Sequence, residues 1–202
     1  MNNSEILKKA KELVELLEKQ EESCRVRLSE LKPGDIFQTT GKRKYKVLEQ
    51  YTEHTKIIPL GFVKENVKFD DNTTDYSKSY LKKLCDTEIL EDFEEEFGEE
   101  NIETDVADLI TVDGQKIGEV KCKVRPLTFD EARKYTELTP NEELNDCYWT
   151  CSAWSTEERG WKYALAVVSP SGLIHWGDYG GVLGVRPVCI LKSNLFVSKV
   201  EE

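Results

Sequence analysis

Residues 147–191 read CYWTCSAW (147–154), STEERG (155–160), WKYALAVVSP (161–170), SG (171–172), LIHWGDYGG (173–181) and VLGVRPVCIL (182–191). The stretch carries all four tryptophans and the longest apolar runs, so it is where the largest core is built. Residues 148–154 alternate two side-chain sets, with Cys147, Trp149, Cys151 and Ala153 on the expected core face and Tyr148, Thr150, Ser152 and Trp154 on the other. A polar turn ends at Gly160, and residues 161–168 return as an aromatic and β-branched strand. Ser169-Pro170-Ser171-Gly172 stops it, because proline removes a ladder donor and glycine accepts positive φ. Residues 173–176 form a short strand. Residues 185–192, after a glycine-punctuated loop, are too continuously apolar for a sheet edge.

Three features of this stretch resemble a bacterial and phage domain of unknown function in the C-type-lectin-like superfamily: Tyr148-Trp149-Thr150-Cys151-Ser152, the Ser-Gly turn after an apolar strand, and Gly184-Val185-Arg186-Pro187 leading into an apolar strand. That superfamily includes formylglycine-generating enzymes and the variable proteins of diversity-generating retroelements. Residues 69–97 resemble the segment where the family places a helix, and residues 124–132, VRPLTFDEA, resemble its leading strand followed by a helix. The resemblance covers residues 31–197. It implies an α+β, C-type-lectin-like fold of short antiparallel strands with flanking helices, and the apolar periodicity of residues 4–22 places an N-terminal amphipathic helix before it. Two parts are expected: a helix at 1–23, and a domain at 24–202 with an acidic helical segment at 84–108.

Upstream, residues 4–22 read as that helix. Ile6, Ala10, Leu13 and Leu17 recur at spacings of four, three and four and form a seam that either packs on its own domain or pairs with a second copy, as in a homodimer. From Cys24 the period changes to two. A turn at residues 32–35 leads into a hairpin (36–39 and 45–49), then a strand at 56–63 and a helix at 77–85 with Tyr80, Leu81 and Leu84 inward. Residues 84–108 hold twelve Asp or Glu and no Lys or Arg, against a net charge of -11 for the whole chain. Residues 87–97 form a helix with Ile89, Leu90, Phe93 and Phe97 buried and Gly98 beyond its C-terminus. Glu91, Asp92, Glu94, Glu95 and Glu96 then face water, continued by Glu99 and Glu100. This is either a solvated flank or an acidic surface for a basic partner. Asp113-Gly114 marks a hairpin of residues 109–112 and 117–124. Thr128 with Glu131 makes a capping box, and residues 139–142 repeat the device with proline at the first helical position.

Composition excludes several chemistries. Two histidines cannot make a multi-histidine metal site, and there is no phosphate-binding glycine loop and no nucleophile elbow. Cys147, Cys151 and His175 could be drawn as zinc ligands, but alternation assigns both cysteines to the core face. The six cysteines are read as reduced thiols. No metal, no cofactor and no catalytic residue is expected. The formylglycine-generating relatives use a reactive cysteine pair and copper, and Cys189 stands alone here, so their activity does not transfer. No apolar run reaches the ~18 residues of a membrane span and no signal-peptide core is present. The expected location is therefore the host cytoplasm or a virion. Arg186, between Val185 and Pro187, reads as a structural arginine tying backbone carbonyls and a carboxylate together.

Two functions follow. One, implied by the resemblance, is a non-enzymatic phage- or prophage-type protein-binding module: the superfamily displays ligand-contacting residues on the loops before its Gly-Val-Arg-Pro-like strand, which here means Trp154, Trp161, His175, Trp176, Asp178 and Tyr179. Some of these six must be core, because His175 and Trp176 have opposite parity. The alternative is a small acidic phage-encoded inhibitor of host defence, anti-CRISPR-like, that mimics nucleic-acid charge against a basic nucleic-acid-handling protein. Neither binds nucleic acid directly or enters a membrane.

Overall fold

The computed structural model describes residues 5–9, 11–13, 25–39, 41 and 43–200, and strands dominate it. In chain order they are β1 (Arg25–Arg27), β2 (Ile36–Gln38), β3 (Lys44–Gln50), β4 (His54–Pro59), β5 (Lys64–Lys68), β6 (Ile102–Glu103), β7 (Asp105–Ile110) and β8 (Lys116–Cys122). There follow β9 (Val124–Arg125), β10 (Tyr148–Ala153), β11 (Ala164–Val168), β12 (Ile174–Asp178), β13 (Val182–Val185), β14 (Val188–Lys192) and β15 (Phe196–Val200). An eight-stranded sheet runs β1-β15-β2-β3-β4-β14-β6, with β9 also paired to β14. A five-stranded sheet runs β12-β11-β10-β13-β5, and β7 with β8 makes a two-stranded ribbon.

The expected α+β arrangement with flanking helices is therefore not what forms. Apart from four three-residue 3-10 turns, helix among the described residues is limited to residues 5–9 and 11–13, to α1 (Tyr80–Leu84) continuing through a π turn (Cys85–Ile89) into α2 (Leu90–Phe97), and to α3 (Phe129–Lys134). The excess of strand comes from segments with no alternation to read. β5 is KENVK, a strand because β13 pairs with it. β7 begins inside the acidic window at Asp105.

β10 is buried on both faces, not on one. Trp149 and Cys151 point into the larger core with Phe69, Tyr76, Leu81 and Phe93, where the Phe69 and Trp149 rings meet at 5.7 Å. Tyr148 points the other way, into a second core with Ile58, Leu127, Tyr135 and Val188. The strand is thus a partition between two apolar layers, and Trp149 Nε1 donates to the carbonyl of Val67 at 2.7 Å. β14 lies inside the larger sheet, with β4 on one side and β6 and β9 on the other.

Local punctuation follows the expected chemistry in several places. Thr128 and Glu131 form a reciprocal capping box on α3. Gly98 ends α2 at φ 84°, and Gly114 turns the β7–β8 ribbon at φ 86°. Residues 139–142 turn without forming a helix; Asn141 instead donates its side-chain amide to the Leu60 carbonyl at 2.9 Å. Tyr80 is 51% exposed, not inward, because the Ser79 cap fixes a phase that sends Leu81 and Leu84 into the core. Residues 161–163 form a turn ahead of β11.

Candidate functional site

β12 is an end strand of the five-stranded sheet, and none of its residues on either face is buried. Its register with β11 pairs Trp176 with Ala166 and Asp178 with Ala164, and both alanines are buried. These small side chains leave room above the sheet for indoles. Trp161 stands 6.4 Å from Trp154 on one side and 6.4 Å, edge to face, from Trp176 on the other. Trp154 is half-buried, while Trp161 and Trp176 are 42% and 55% exposed. The three form a continuous aromatic row on the outer face.

The loop that supplies Trp161 is held by Asp113 at the tip of the β7–β8 ribbon. Its carboxylate accepts from Thr111 Oγ1 (2.5 Å), Ser155 Oγ (2.7 Å) and Arg159 Nη1 (2.8 Å). Those hydroxyl donors, Thr111 first, hold the Asp113 carboxyl well below the usual carboxylate range. Val112 N–H also donates to the Ala153 carbonyl at 3.1 Å. Gly160, at φ 84°, turns the chain back so that Trp161 N–H reaches the Thr156 carbonyl at 3.2 Å.

The other candidates do not join this row, and none of the six is core. His175 lies on the opposite face, its Nε2 3.3 Å from Cys147 Sγ. Tyr179, on that same opposite face, meets Tyr163 with ring centres 5.8 Å apart and planes tilted by 50°. Asp178 is exposed and shapes the following turn by accepting from Gly180 N–H at 2.8 Å. Parity separates the residues as expected, but neither parity of β12 is buried. Asp113 and Tyr163 escaped the sequence, only the Asp113-Gly114 turn signal hinting at the first, and the sequence groups Cys147 with His175 only as possible zinc ligands.

The acidic window is largely neutralised from within. Arg43 meets Glu96 (3.0 Å) and Asp92 (3.9 Å), Lys123 meets Glu94 (2.9 Å) and Glu99 (3.4 Å), and Lys64 meets Glu88 (3.0 Å). Asp86, Glu103, Asp105 and Asp108 are paired as well. Of the acidic-surface candidates, Glu91, Glu95 and Glu100 alone have no ion pair among the described residues. Glu96 does not face water as expected: its side chain is 10% exposed and accepts from Thr39 Oγ1, Arg43 Nη1 and the Tyr45 hydroxyl. That hub pins α2 to the β2–β3 hairpin.

Arg186 is fully buried. Its Nε donates to the Pro59 carbonyl at 2.7 Å and its Nη1 to the Thr139 carbonyl at 2.5 Å, and the guanidinium lies 5.4 Å from the Tyr148 ring centre. The carbonyl ties are as expected; the carboxylate is not there among the described residues, so a π face does part of its work. In the N-terminal seam Ile6 and Leu13 are 48% and 59% exposed, and Ala10 and Leu17 lie outside the described residues.

Among the described residues no group of three or more His, Cys, Asp or Glu is placed to hold a metal. Cys151 is buried in the larger core and apart from the Cys147–His175 contact. No helix among them is long and apolar enough to cross a membrane. No protein-family model matches the chain, and neither the curated proteins nor the solved structures contain a match to it.

Proposed function

We propose that this chain is a non-enzymatic protein-binding module whose contact surface is the tryptophan row of β10 to β12. The observation that carries the reading is that Trp161 and Trp176 stay 42% and 55% exposed while the loop that supplies Trp161 is fastened by two side-chain bonds, from Ser155 and Arg159, to Asp113. Large indoles held rigid in water are costly to solvate, and covering them loses little conformational freedom. The partner that suits such a surface is a protein presenting apolar or planar side chains. The charge-mimic reading draws on Glu91, Glu95 and Glu100, a much smaller anionic surface than twelve carboxylates would make.

Affinity capture from host lysate with three baits separates the two. Wild type, W161A/W176A and E91K/E95K/E100K are compared at low and high salt. The binding-module reading expects one partner retained by wild type and by the lysine variant at both salts and lost by the tryptophan variant. Loss with the lysine variant and with salt, but not with the tryptophan variant, favours the charge mimic. A wild-type bait that retains nothing removes both.

A further inference from the structure

Cys147 immediately precedes β10. In the β10–β11–β12 ladder Trp149 stands opposite Val167, and Val167 opposite His175. Cys147, two residues before Trp149, therefore shares the face of His175, and its Sγ lies 3.3 Å from His175 Nε2. The other cysteines among the described residues are sealed. Cys85, Cys122, Cys151 and Cys189 are all buried; burial pushes the Cys85 and Cys151 thiols up to about 12 and Cys122 up to about 11. Among the described cysteines Cys147 alone is half-buried and touches a base. Burial first, and then Asp146, raises its thiol too. The pair is thus a thiol against the His175 ring, and the sulfur becomes a nucleophile when the ring removes its proton.

We propose that Cys147 is a thiol–disulfide exchange site for small-molecule disulfides, with His175 as its base. As Cys147 Sγ attacks one sulfur of the incoming disulfide, His175 Nε2 takes the thiol proton. The new S–S bond forms, the old one breaks, and its electron pair leaves on the departing sulfur, which takes the proton back from the imidazolium. The products are a mixed disulfide at Cys147 and one free small thiol. The disulfide is the only oxidant required, and excess thiol reverses the step.

The test incubates the full chain with oxidised glutathione near neutral pH and follows adducts by peptide mass spectrometry. The expected result is an adduct at Cys147 well before any at Cys85, Cys122, Cys151 or Cys189. His175→Gln should slow it on the order of 10²-fold, the low end of general-base assistance, and added free imidazole should restore rate to that variant while leaving wild type unchanged. Unlabelled buried cysteines in the same sample report that the variant is folded; if they label, His175→Asn takes its place. Equal rates in wild type and the folded histidine variant, or labelling of Cys147 no faster than of the buried thiols, overturns the proposal.

Discussion

Gly184 lies flat against the ring of Phe62: a Cβ at position 184 would sit 2.5 Å from Phe62 Cε1 and 2.6 Å from Cδ1. The contact sits where the two halves of the five-stranded sheet join, because Gly184 is the register partner of Tyr148 in the parallel β10–β13 pairing and its N–H donates to the Cys147 carbonyl at 3.0 Å. Phe62 in turn packs on Tyr148 at 6.5 Å. Gly184 is required for close approach and not for its backbone angle. Gly184→Ala should therefore cost about 1–3 kcal/mol in urea unfolding, the usual range for overpacking. Phe62→Leu in the same chain should recover part of that loss. Strictly additive losses would show that the ring is not the obstacle.

Glu131 carries a pH dependence. It caps α3 and accepts from Arg125 and from Lys56, the latter at 2.6 Å, inside a nearly dry cluster that includes Asp105. Burial alone would raise its pKa, but Arg125 and Lys56 hold it far below the ordinary carboxylate value. Since the folded value is the depressed one, the stabilisation is fully present above the ordinary range near 4.5. It is lost as pH falls from there toward the folded value. Melting temperature should drop over that window, and Glu131→Gln should flatten the drop while costing roughly 3–5 kcal/mol at neutral pH by leaving buried cations short of a partner. A variant with the wild-type acid slope would remove Glu131 from the account.

These two sites mark what was legible in the sequence. The Thr128–Glu131 capping box could be read because a cap is a local contract over three residues. The Asp113-Gly114 hairpin, the Gly98 helix end and the Trp149 core face were legible for the same reason. The second role of Glu131 was not, since Lys56 reaches it from β4, 75 residues away, and the nearby Arg125 is held in place by the pairing of β9 with the distant β14. β5 has a single buried residue, Val67, and became a strand through β13. Of the candidate site, the three surface tryptophans and the opposite parity of His175 are legible, but that neither face of β12 is buried depends on what packs over the sheet, which no local pattern shows. Glu96 was assigned to water because its helix phase allows it; the cation and hydroxyls that claim it come from residues 39–45.

Arg186→Leu should lose about 2–4 kcal/mol, because the carbonyls of Pro59 and Thr139 are left without their donors inside a dry layer. Arg186→Lys should rescue little: an ammonium group cannot span both carbonyls and lie on the Tyr148 ring. Thermal unfolding decides. Unchanged stability in the leucine variant, with binding lost, would make Arg186 a ligand anchor instead.

Exposure of Ile6 and Leu13 in the single chain leaves the N-terminal seam uncovered at those positions. If a second copy covers it, light scattering should give a dimer for the intact chain and a monomer for a chain starting at Ser23. A monomer in both cases would assign the seam to no self-association.

The last expectation concerns how Trp161 is held. Asp113 ties the 155–160 loop to the β7–β8 ribbon through Ser155 and Arg159, and that loop presents Trp161 to its neighbours at 6.4 Å. Asp113→Ala removes the acceptor while leaving every core residue in place, so the melting temperature should move little. The indoles, in contrast, should separate, because their packing on each other is too slight to fix a loop that has lost its anchor. Acrylamide should then quench tryptophan emission more strongly than in wild type, and affinity for any partner captured through Trp161 and Trp176 should fall several-fold. Asp113→Asn keeps one acceptor oxygen and should fall between the two. Wild-type quenching in the alanine variant would show that the tryptophan row holds itself, and that the ribbon tip contributes nothing to the surface.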